Sequence, residues 1–132
     1  MARPDGMMPQ RFYHGTSLHS WKKDIRGNGA LYLVTDAADA WQYAYEEAAR
    51  DEEEGRKPQP IVVFLDAGDV VRAFNNGLSF GPDDGAYGYH KGMAWATTLR
   101  EFGSVTLRGS ASKIKRLPWK QVLKEPASAR TA

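Results

Sequence analysis

The sequence predicts a compact single-domain α+β fold, and three observations lead there. A length of 132 residues suits one hydrophobic core rather than two. A 42% hydrophobic fraction, with four Trp, six Tyr and five Phe, supplies enough apolar surface to close that core. The order of elements runs strand, strand, helix and then mostly strands, a pattern of segregated rather than alternating elements.

Residues 1–10 carry Pro4, Gly6 and Pro9 without apolar periodicity and read as a flexible N-terminal tail, as residues 125–132 do at the other end. The domain is expected over residues 11–124. Arg11–Gly15 is rich in aromatic, strand-prone residues and reads as a short strand that turns at Gly15. Leu18–Asn28 mixes Lys22, Lys23 and Asp24 with Trp21 and Ile25, which suits a helical turn closed by Gly27-Asn28-Gly29. Ala30–Thr35 is a second strand.

Asp36 is placed as an N-cap, and Asp39 adds negative charge to the first turn of a helix over Ala37–Glu54. Trp41, Ala44, Tyr45 and Ala48 fall at i, i+3, i+4 and i+7 and form its buried stripe. Glu46, Glu47, Arg50 and Asp51 are assigned to the solvent side. Ile61–Leu65 is a continuous apolar run between turn signals, hence a strand buried on both faces. Val70–Phe74 continues the sheet after a break at Asp66–Asp69. Asn75–Tyr89 is a glycine-rich connection of the kind that carries function. A short helix over Lys91–Leu99 and strands over Phe102–Leu107 and Ser112–Leu117 complete the reading.

The absence of cysteine excludes disulfides, thiolate nucleophiles and zinc–cysteine sites. His14, His19 and His90 are too dispersed to point to a metal, so none is expected. No run has the apolar length of a membrane span, and Met1–Arg11 lacks the hydrophobic stretch of a signal peptide, so the expected location is the cytoplasm, with no membrane partner. The net charge of +2 conceals an asymmetry: nine cations against Glu101 and Glu125 from Lys91 onward, and an acidic Glu46–Glu54. A basic final third suits a polyanion, either a dinucleotide pyrophosphate or a nucleic acid.

Three stretches carry the chemistry. Tyr13-His14-Gly15-Thr16 comes first, then Leu31-Tyr32-Leu33-Val34-Thr35-Asp36 leading into Trp41-Gln42-Tyr43-Ala44, then the apolar Ile61–Leu65. In this order they resemble the ADP-ribosyltransferase superfamily, in the His-Tyr-Glu branch that includes diphtheria toxin and the poly(ADP-ribose) polymerases. The resemblance implies a split β-sheet core with few helices and NAD⁺ as co-substrate. It implies His14, Gly15, Thr16, Tyr32 and Tyr43 as the residues that bind it. His14 would meet the adenosine ribose, the Gly15 backbone the nicotinamide amide, and Tyr32 and Tyr43 would flank the nicotinamide ring, a cation that aromatic faces attract by about 0.5–2 kcal/mol. His14 and Tyr32 are thereby expected to border a common cleft.

The branch also requires a late carboxylate to stabilise the cation that develops as nicotinamide leaves. Glu101, just before the Phe102–Leu107 strand, is the best placed, with Asp83 and Asp84 as the alternatives. Catalytic roles therefore fall to His14, Tyr32 and Glu101. Arg11, Lys22, Lys23 and Arg26 are candidate phosphate contacts. A Rossmann GxGxxG and a P-loop lysine are both missing, so a hydride-transfer role for NAD⁺ and a nucleoside triphosphate site are not expected. The acceptor, whether protein, nucleic acid or small molecule, stays open. So does the choice between a transferase, acting as a toxin, phage or defence effector or antibiotic-modifying enzyme, and an inactive relative that binds a nucleotide or nucleic acid; a tRNA 2′-phosphotransferase shares the fold the resemblance implies, but its Arg and His motifs are not found.

Overall fold

The computed structural model describes residues 10–27, 30–75, 77–81 and 103–127. In chain order these form β1 (Arg11–Ser17), α1 (Leu18–Gly27), β2 (Ala30–Val34), α2 (Ala37–Glu53), β3 (Pro60–Asp66), α3 (Ala67–Asn75), β4 (Ser79–Gly81), β5 (Ser104–Arg108), α4 (Ala111–Lys115) and β6 (Lys120–Gln121). The strands make one sheet in the order β4-β5-β2-β1-β3-β6, every neighbouring pair antiparallel. The α+β class holds.

The sheet is unevenly joined. β1 and β3 are in register from Arg11 opposite Asp66 to Ser17 opposite Pro60. β2 and β5 run together from Ala30 opposite Arg108 to Val34 opposite Ser104. Between these two halves, β1 and β2 meet at a single pair, Tyr13 opposite Val34.

Strand alternation gives the sheet two apolar faces. On one, Phe12, Leu31, Leu33, Leu65, Val105 and Leu107 pack against Val70 and Ala73 of α3, Ile114 of α4 and Trp21 of α1. On the other, Val34 and Val62 meet Ala40, Trp41 and Ala44 of α2. The small residues on α2 let its backbone lie close to the strands.

α2 begins where its sequence says. The Asp36 side chain accepts from the Ala38 N–H at 2.8 Å, capping the helix, and Asp39 sits in the first turn. Its buried stripe is Ala40, Trp41, Ala44, Ala48 and Asp51. Tyr45, expected in that stripe, is half-buried and tilts against Trp41 with centroids 5.9 Å apart. Asp51, expected in solvent, lies inside the stripe.

Other expectations are corrected. Val70–Phe74 belongs to α3, because Val70 and Ala73, three residues apart, bury one helix face and Asp69 occupies the first turn. Ser112–Leu117 is not a strand: Ser110 caps α4 by accepting from the Lys113 N–H, and only Ile114 of this helix is buried. β1 does not turn at Gly15 but continues to Ser17. Ser79–Gly81 is a strand within the connection expected to lack structure. Residues 76 and 82–89 of that connection and the Lys91–Leu99 helix lie outside the described residues. No described helix is long and apolar enough to cross a membrane.

Asp51 locks the end of α2 to the end of β1. Its side chain is 2% exposed and accepts from Arg56 Nη2 at 3.1 Å, while the Arg56 N–H bonds the Asp51 carbonyl at 2.8 Å. The Ser17 hydroxyl, and after it the Arg56 guanidinium, hold the Asp51 carboxyl below the usual carboxylate range, against the opposing effect of burial. A folded-state pKa below the unfolded value of about 3.9 gives stability that is complete above that value and is lost as pH falls through the depressed one. Asp51→Asn is expected to cost about 1–3 kcal/mol at neutral pH. In urea melts the gap between variant and wild type should close as pH falls through the native pKa; a gap independent of pH would contradict the assignment.

Candidate functional site

The site forms where β1 and β2 part. The Val62 carbonyl accepts from the Val122 N–H at 2.9 Å and therefore points away from β1. In an antiparallel ladder its opposite residue, Gly15, then belongs to a non-hydrogen-bonded pair. The N–H and C=O of Gly15 accordingly face β2, beyond the point where the β1–β2 register stops.

His14 spans this opening. Its Nδ1 lies 2.8 Å from the Tyr32 carbonyl. A carbonyl can only accept, so Nδ1 carries the proton, and the neutral ring has its acceptor at Nε2. The ring is 9% exposed and leans on Trp21, with centroids 5.7 Å apart. Trp21 meets Trp119 edge-on at 5.2 Å, and Trp119 Nε1 donates to the Ile114 carbonyl at 2.9 Å. His14 is thus oriented by a ring stack on one side and a backbone acceptor on the other.

A cavity of ≈ 130 Å³ opens beside it, bordered by His14, Gly15 and Tyr13 of β1 and by Tyr32 and Val34 of β2. Tyr43, Glu46 and Glu47 of α2 form its third side. That volume approaches the roughly 150 Å³ of a cavity known to take benzene. Alternation points the Tyr32 side chain to the α2 face and that of His14 to the other, so the two leave opposite sides of the sheet, a placement that counts against the family resemblance even though both border this cavity.

Tyr32 and Tyr43 meet edge to face, with centroids 5.7 Å apart and planes at 86°. They touch each other and do not flank a gap one ring wide. Tyr43, 40% exposed on the helix surface, is the one with room to turn. Partial burial, then its hydrogen bond and charge coupling to Tyr32, then Asp39 and Glu46, push the Tyr43 phenol above its ordinary pKa.

The structure gathers His14, Gly15, Tyr32 and Tyr43 at one place. It does not bring Thr16 there: its side chain is 2% exposed, in register with Ile61, and does not border the cavity. Glu101, Asp83 and Asp84 lie outside the described residues. Arg11 lies over the Phe64 ring at 4.5 Å and pairs with Asp66 at 3.5 Å, so its charge is engaged at the β1–β3 end. Four bordering residues were not assigned to the site: Tyr13, Val34, Glu46 and Glu47. Glu46 and Glu47 border the cavity, and the signal for them was their spacing of three and four residues from Tyr43, which places all three on one side of a helix. Among the described residues no group of three His, Asp or Glu side chains is placed to hold a metal.

A second, more open cavity of ≈ 430 Å³ lies on the other face, with Ala73, Leu78 and Leu117 as apolar walls and Lys113 and Arg116 at its edge. Comparison with family models, with curated proteins and with solved structures finds no match to this chain.

Gly15 is fixed by packing as well as by its place in the opening. A Cβ built on it would lie 1.7 Å from the Ala40 carbonyl oxygen, which belongs to the α2 backbone and cannot swing aside. Gly15→Ala must therefore lift α2 from β1 or unfold the domain. A loss at or beyond the about 1–3 kcal/mol typical of overpacking is expected. Thermal melts followed by circular dichroism measure it, and an unchanged melt would refute so close an approach.

Proposed function

We propose that the chain transfers ADP-ribose from NAD⁺ to an acceptor, by substitution at the nicotinamide ribose. The observation that carries this reading is the opening between β1 and β2. It collects His14, the Gly15 backbone, Tyr32 and Tyr43 around a space of one-ring size. These are four of the residues the sequence resemblance singles out, drawn from three separate elements. A sheet that parts in its middle also suits the split core of that family.

Each group has a task in this chemistry. The Gly15 N–H and C=O offer a donor and an acceptor side by side, the complement of a carboxamide. Tyr43 turns away from the Tyr32 edge so that the ring enters against an aromatic face, and the cation is attracted there. His14, held through Nδ1 on the Tyr32 carbonyl, is assigned to the ribose. As the glycosidic bond breaks, the electron pair leaves with nicotinamide and positive charge develops on the ribose. A carboxylate must meet that charge, and Glu101 is assigned to it, with Asp83 and Asp84 next in line. The acceptor is a macromolecule or small molecule held near the Asn75–Tyr89 connection.

A second reading, an inactive relative that binds a nucleotide or nucleic acid, is favoured by one feature. α1, which carries exposed Lys22 and Lys23, packs against α4, which carries exposed Lys113 and Lys115. A cluster of cations on neighbouring helices suits a phosphate backbone.

Incubation with adenylate-labelled NAD⁺ and cell lysate tests the first reading, with label expected on protein, nucleic acid or a small molecule. NAD⁺ should also raise the melting temperature, by about 2.7 kcal/mol of added stability at a hundredfold excess over Kd. His14→Ala and Tyr32→Ala should each reduce that gain. Glu101→Gln should cut turnover by about 10²–10³ with NAD⁺ affinity nearly unchanged, as loss of a transition-state interaction does. NAD⁺ binding without transfer or hydrolysis in the wild type would select the second reading.

A further inference from the structure

The one-ring cavity has a charge character that its aromatic walls alone do not explain. Tyr13, Tyr32 and Tyr43 line it, and among the described residues the charged side chains that join them are Glu46 and Glu47, with no described Lys or Arg on its border. Glu47 is partly engaged: Oε1 accepts from Arg50 Nη1 at 3.1 Å and Oε2 from the Ser20 hydroxyl at 3.2 Å. Arg50 itself is largely in solvent, with 64% of its side chain exposed, where water screens its charge. Glu46 is exposed, and no ion pair to it is seen among the described residues.

We propose that Glu46 and Glu47 make this cavity selective for a flat aromatic cation over the uncharged ring of the same shape. Tyrosine faces attract a cation through the ring quadrupole, and two carboxylates at the rim add a monopole of the same preference.

Charge selectivity of this kind needs only the cavity; its assignment to the nicotinamide ring rests on the transferase reading above. Given that reading, the carboxylates act on the bound substrate rather than on the transition state. The ring is cationic in NAD⁺ and neutral once it leaves, so Glu46 and Glu47 strengthen capture of the substrate and weaken the hold on the departing product. They also disfavour the reduced dinucleotide, whose ring carries no charge. Glu101 serves the opposite stage, when the charge has moved to the ribose.

The test compares 1-methylnicotinamide, a pyridinium, with nicotinamide, the neutral ring, by titration of the tyrosine resonances in NMR spectra. Wild type should bind the cation about tenfold more tightly, the ratio that 1.4 kcal/mol represents. The Glu46→Gln, Glu47→Gln double variant should bring the two probes within about threefold of each other. Glu46→Gln alone, which leaves the Glu47–Ser20 bond intact, should narrow the ratio part way and guards against misfolding of the double variant. Equal affinity of wild type for both probes, a preference that survives in both variants, or no binding of either probe at millimolar concentration would overturn the proposal. A wild type that prefers 1-methylnicotinamide but releases no nicotinamide from NAD⁺ would uphold the cation site and remove the transferase reading.

Discussion

The architecture depends on the approach of the α2 backbone to β1 at Gly15. With the Ala40 carbonyl where a side chain on residue 15 would begin, α2 can sit on the strands only if residue 15 is glycine. Ala40, Ala44 and Ala48 are buried and keep that side of the helix small, and Trp41 packs with Val34 and Val62. Because α2 lies so low, Tyr43 reaches Tyr32, and Glu46 and Glu47 reach the opening between β1 and β2. Had the helix stood off by the width of a larger residue, the cavity would lose its third side.

The second element of the design is a sheet that parts without coming apart. β1 is held by β3 and β2 by β5, and the two halves touch at Tyr13 and Val34. Beyond that pair, the His14 side chain reaches the Tyr32 carbonyl, so a side chain continues what the backbone ladder leaves off. The same bond fixes the tautomer of the imidazole. Structural and chemical roles therefore coincide in one residue.

Much of this was legible in the sequence, and the failures share a cause. α2 announced itself through Asp36, Asp39 and the spacing of Trp41, Ala44 and Ala48. β3 announced itself through an apolar run bounded by Pro60 and Asp66. The meeting of His14, Gly15, Tyr32 and Tyr43 was anticipated from the motif. Val70 and Val71 misled because β-branched residues favour strands, and a helix of nine residues shows little more than two turns of periodicity. Ile114, flanked by Lys113 and Lys115, imitates strand alternation, and the informative residue was Ser110 ahead of it. Gly15 was read as a turn because local sequence does not show a helix packed above a strand. Asp51 and Glu47 looked like solvent charges, since burial of one and placement of the other are set by partners outside the helix: Ser17 and Arg56 for Asp51, Ser20 for Glu47.

A sheet resists bending in proportion to the ladder that crosses the line of the bend. Across β1–β3 that line cuts a ladder running the length of the strand; across β1–β2 it cuts one pair and one imidazole bond. Compliance is therefore concentrated on a seam that also forms the floor of the cavity. Flexing about Tyr13 and Val34 would change the space between Gly15 and Tyr32 at the least cost in ladder hydrogen bonds. The shortest ladder in the sheet and the mouth of the cavity coincide.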